Sequence, residues 1–247
     1  MTQAARAFAL RIPTFMASAE WCTYLEDMPH RAYGDRLWPV VLKIPGLMRQ
    51  VDVLAVTGSS LPECLMLLEQ IDKVDLFLDS WLDAYEQDVS DKSSTYWFDT
   101  SPPRAVEARN APAIDFDNIS IAEVMMTYWA YKLEMSVLLE QVDALNVTTV
   151  DSQSLATISR SGSHKFASLI GRSIAYWLRH VSAEVCLFRL LYAVRVAWEW
   201  FARLPKVYDL EIRACRTFRT KMQSESKTRM AEFVMDLFYK PPPDEAL

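Results

Sequence analysis

Between Leu67 and Tyr85 the apolar residues fall at alternating steps of four and three: Leu67, Ile71, Val74, Leu78, Trp81 and Tyr85. At about 100° per residue that spacing sets all six on one stripe of a helix. It predicts a helix from about Pro62 to Gln87 with a single buried face, Leu78 and Trp81 included. A second stripe, roughly a third of a turn away, carries Asp72, Asp75, Asp79, Asp83 and Glu86.

A different pattern runs from about Ser120 to Leu145. Its apolar residues (Val124, Met125, Tyr128, Trp129, Leu133, Met135, Val137, Leu138) surround the helix almost completely. Such a helix belongs at the centre of a bundle. Ser120-x-x-Glu123 reads as its capping box, with hydroxyl and carboxylate satisfying reciprocal backbone donors.

The rest of the chain is organised around these two helices. Residues 1–60 read as short helices broken by Pro13, Pro29, Pro39 and Pro45. Residues 89–115 read as an exposed linker, with Ser93-Ser94, Pro102-Pro103 and Pro112 interrupting any period. Asn146 to Ser163 is polar, with room for one short helix. Further helices are expected over about 164–180, 183–204, 207–222 and 225–239, before Pro241-Pro-Pro243 and a short acidic tail at 241–247. No stretch alternates apolar and polar residues for a useful length. The expected class is all-α: a single domain over 1–247, an array of antiparallel helices whose core lies in 116–240, with 61–88 as its acidic helix.

Composition narrows the chemistry. With only 5 glycines in 247 residues and neither GxxxxGK[ST] nor GxGxxG, phosphate-cradling loops are not expected. Cys22, Cys64, Cys186 and Cys215 lie far apart, so no zinc cluster can be wrapped by one loop; they read as reduced, mostly buried thiols. No run of 18 apolar residues marks a membrane span, and the N-terminus lacks a secretory core. An intracellular protein, of nucleus or cytoplasm, is the expectation.

The net charge of −6 hides an asymmetry. Residues 63–91 hold nine acids against Lys73 alone, whereas residues 160–229 hold fourteen Arg and Lys against five acids. The basic residues are dispersed through several helices, and direct DNA binding is not expected.

The acidic stripe admits two readings. Asp75, Asp79 and Asp83, one turn apart, have the spacing to share Mg²⁺ that bridges to a diphosphate. Arg172 and Arg179, one heptad apart, would then clamp the diphosphate, and aromatic rings would cradle a carbocation, as in terpene cyclase-like enzymes. Against this, no Asp-Asp-x-x-Asp and no second metal motif is present. The favoured reading is therefore a solvated or docking face with no metal and no cofactor. Tyr128, Trp129, Tyr176 and Trp177 are candidates to line a ligand pocket between helices, or to be plain core.

Phe116-Asp-Asn118 leading to Tyr128-Trp129-Ala130, and Gly171-Arg-Ser-Ile-Ala-Tyr-Trp-Leu178, carry a resemblance. With Phe15-Met-Ala17, Trp21 and Leu78-Asp-Ser-Trp81 upstream, their order resembles the C-terminal part of the fungal-specific transcription factor regulatory domain, which normally follows a binuclear zinc cluster. That resemblance implies an effector domain without its own DNA-binding module. It would act through a protein partner or homodimer, or by sensing a small apolar ligand. The chain departs from the family in two ways: the cluster cysteines are absent, and so is most of the N-terminal half of the regulatory domain.

Overall fold

The computed structural model describes residues 2–27, 33–58, 60–91, 113–146, 153–180 and 187–225. Among the described residues there are nine α-helices and no strand, so the all-α expectation holds. They group into two compact units: those of 1–95 with 131–164, and those of 96–130 with 165–247.

The first unit contains α1 (Thr2–Leu10), a 3-10 turn (Phe15–Ala17), α2 (Ala19–Glu26), a second 3-10 turn (Tyr33–Leu37), α3 (Trp38–Val41), α4 (Ile44–Thr57) and α5 (Leu61–Asp91). Residues 131–146 of α6 (Ile119–Asn146) and 153–164 of α7 (Gln153–His180) belong to it as well. Pro39 and Pro45 do not break helices; each sits in the first turn of one, α3 and α4 respectively. A missing N–H costs nothing there, because first-turn donors have no intrahelical acceptor. Arg11, just past α1, adopts a φ of +51°, rare outside glycine. Its side chain holds the turn by pairing with Asp52 at 3.0 Å and donating to Gln141 at 3.4 Å.

Helix α5 begins at a Ser60-x-x-Glu63 sequence that the sequence reading did not single out. The Ser60 backbone N–H and hydroxyl both donate to Glu63, at 3.1 and 2.6 Å. Those two bonds hold the exposed Glu63 carboxyl below its ordinary pKa. The apolar stripe lies where its period predicts: Leu67, Ile71, Val74, Leu78, Trp81 and Tyr85 are all buried. Trp81 and Tyr85 stack with planes 3° apart and centroids 5.4 Å apart.

The second unit holds residues 119–130 of α6, 165–180 of α7, α8 (Leu187–Phe201) and α9 (Asp209–Glu225). Helix α6 starts one residue before Ser120, and its cap is Asn118, whose side-chain oxygen accepts from the Ile121 N–H at 2.9 Å. Ser120 thus lies inside the first turn and is not the cap. The near all-round burial expected of α6 is present: Met125, Tyr128 and Trp129 here and Leu133, Met135, Val137 and Leu138 in the first unit are buried, while Val124 is half-buried.

Helix α7 is longer than expected. It takes in Gln153–Ser163, part of a polar stretch expected to hold at most one short helix, and runs on without a break through 164–180. In the second unit a Cβ at Gly171 would lie 3.2 Å from the Phe201 ring, so glycine sets how closely α7 meets α8. The expected exposed linker ends sooner than predicted, since Ile114 is buried and its N–H donates to the Arg172 carbonyl at 3.1 Å. The expected helix at about 225–239, beyond Glu225, and the tail at 241–247 lie outside the described residues, as does Cys186.

Candidate functional site

The acidic stripe of α5 meets a cation that the sequence reading did not single out. Lys132 on α6, in the first unit, is only 7% exposed, and its ammonium lies 2.6 Å from Asp75 and 2.9 Å from Asp79. The partner is a lysine of the apolar central helix rather than one of the arginines from the basic third of the chain. One buried ammonium bridges two carboxylates a helical turn apart, which ties α5 to α6 at the middle of both.

Electrostatics at the bridge are finely opposed. Burial raises the Asp75 carboxyl above the ordinary aspartate range, and this outweighs the hydrogen bond and charge of Lys132, which lower it. Asp79 and Asp72 add a smaller upward push. Asp83 and Asp72 are exposed. Among the described residues no group of three or more His, Cys, Asp or Glu is arranged to hold a metal ion.

The four pocket candidates are all buried, in the second unit. Phe116 packs against Trp129 with centroids 6.0 Å apart and edge-on to Tyr176 at 5.1 Å. Tyr176 is edge-on to Trp177 at 5.6 Å, and Tyr128 edge-on to Phe166 at 6.3 Å. These are the offset and edge-to-face geometries that aromatic quadrupoles favour. The Trp177 indole N–H is buried without a hydrogen-bond partner. Burial, with the Asp115 charge added, raises the Tyr176 phenol above its ordinary pKa.

The two arginines of the diphosphate reading also lie in the second unit. Arg179 is exposed and pairs with Asp115. Arg172 is half-buried, and its carbonyl anchors Ile114. Cys22, Cys64 and Cys215 are buried free thiols, as expected of them. Burial pushes the Cys215 thiol up to about 12, which keeps it protonated and unreactive.

A groove in the first unit escaped the sequence reading. Pro13, Arg49, Val53, Leu54, Met66 and Leu67 are among its lining residues, and its volume is about 450 Å³. It lies between α4 and α5, a pairing of helices that no local period announces. No helix among the described residues is long and apolar enough to cross a membrane.

No protein-family model, curated protein or solved structure matches this chain.

Proposed function

We propose that this chain is a regulatory or effector body, resembling the fungal transcription factor regulatory domain, that works by contact with another protein. One observation carries the reading: Asp75 and Asp79, the carboxylates that Mg²⁺-dependent diphosphate chemistry would recruit, are engaged by the buried Lys132. Their role is to join two helices. The residues that carry the family resemblance support the same view, because Phe116, Tyr128, Trp129, Tyr176 and Trp177 serve as packed interior. A second reading, sensing of a small apolar molecule, draws on the groove between α4 and α5, whose volume of about 450 Å³ suits such a ligand.

The test sets this proposal against the enzymatic alternative. Purified protein is incubated with Mg²⁺ and prenyl diphosphates, and hydrocarbon and diphosphate release are measured. The proposal expects no turnover. Cyclised hydrocarbon from the parent protein, lost in Asp79→Ala, would overturn it.

A further inference from the structure

We infer that the outer face of α5 is a self-association surface, on which a second copy of this chain packs its own α5 in the antiparallel sense. On the side away from the buried stripe, Leu65, Met66, Leu76 and Phe77 are 55%, 62%, 65% and 37% exposed. Between them stand Glu69 and Lys73, paired within the helix at 2.6 Å and both well exposed. At 100° per residue these six positions share an arc of about 120° and extend about 18 Å along the axis.

Their order is close to a palindrome centred on Ile71. Leu65 mirrors Phe77, Met66 mirrors Leu76, and Glu69 mirrors Lys73. A two-fold interface must be complementary to itself, because each residue meets the partner's counterpart across the axis. Two antiparallel copies of α5 centred at Ile71 satisfy that condition. Each Glu69 meets a Lys73 of the other copy, twice by symmetry, and each apolar pair meets the other apolar pair. A parallel pairing would set Glu69 on Glu69 and Lys73 on Lys73, so charge selects the antiparallel arrangement.

The patch continues beyond α5. On α4, Val53 is exposed and Val56 is 86% exposed. Val53 and Met66 line the same groove, so α4 extends the surface sideways. A stable interface buries about 1,200–2,000 Å² in total. The α4 flank adds to what the helix pair can bury, and the dimer is expected to be reversible. The inference deepens the contact-based reading by naming one partner. Its test uses purified protein alone, so its failure stands apart from any failure of the regulatory reading.

Sedimentation equilibrium is run on the full chain and on Glu69→Lys, Lys73→Glu and the double variant, with circular dichroism to verify helicity. Both residues are exposed, so the fold survives either change. Each single reversal sets like charges opposite one another twice and weakens association by about tenfold or more. The double variant restores the parent Kd, and an equimolar mixture of the two single variants associates better than either alone. A parent chain that stays monomeric at high concentration would overturn the inference. So would single reversals that leave Kd unchanged, or a mixture that fails to associate better than its components.

Discussion

Replacing Lys132 by methionine tests what holds α5 against α6. Methionine keeps most of the aliphatic length and removes the ammonium, so the packing volume changes little. What is lost is, among the described residues, the only cation within ion-pair distance of Asp75, at 2.6 Å, together with the 2.9 Å contact to Asp79. Removing one partner of a buried pair costs about 3–5 kcal/mol, because the remaining charge is left without compensation. Here the carboxylates keep some water, Asp75 being 29% and Asp79 51% exposed at the side chain. The cost is discounted accordingly to about 2–3 kcal/mol at neutral pH. It shrinks as the pH falls, since a protonated Asp75 needs no counter-charge. Asp75→Asn in the same background recovers a good part of the loss, because it removes the orphaned charge. Urea unfolding followed by circular dichroism measures both variants against the parent, with midpoints compared at constant m. A shift below about 0.5 kcal/mol for Lys132→Met would refute the argument, as would a double variant no better than the single.

Three other outcomes follow from the same structure. Trp81→Ala costs about 3–5 kcal/mol through lost burial and the cavity left beside Tyr85, read as a lower denaturation midpoint. Asn118→Ala costs about 1 kcal/mol by uncapping α6, whereas Ser120→Ala costs much less; equal losses would restore the Ser120 capping box. Native Asp75 holds its proton to higher pH than the unfolded chain does, so the native state binds more protons just above the ordinary aspartate range. Through that window the parent loses stability with rising pH relative to Asp75→Asn, and pH-dependent unfolding curves that run parallel would contradict it.

The two long central helices were legible because their periods answer to burial directly. A one-sided stripe from Leu67 to Tyr85 and a fully apolar surround from Val124 to Leu138 each have one stable placement. The helix ends were not legible in the same way. Ser60-x-x-Glu63 and Ser120-x-x-Glu123 are equivalent as strings, but Ser60 precedes its helix and its N–H donates to Glu63, whereas Ser120 lies inside α6, whose cap is Asn118. The continuity of α7 through Gln153–Ser163, where at most a separate short helix was expected, was not legible because that stretch is rich in serine. Extending an existing helix costs far less than nucleating one, and Ser163 finds a partner in Glu140 of α6. Lys132 left a signal that was passed over: one lysine in a helix with an apolar surround must have its charge answered nearby. Which acids answer it depends on tertiary pairing between elements far apart in sequence, and no periodicity in either helix encodes that choice.

The central claim, that this helical body acts by contact with other proteins, is tested most directly by fusing the chain to a heterologous DNA-binding domain in a fungal host. Output from a reporter carrying the cognate site is then measured against the DNA-binding domain alone. The account predicts a change of severalfold, upward or downward, that persists in Asp79→Ala, because Asp75 still pairs with Lys132 and the proposed function assigns Asp79 no catalytic step. Reporter output indistinguishable from that of the DNA-binding domain alone, with the fusion present at equal abundance, would contradict it.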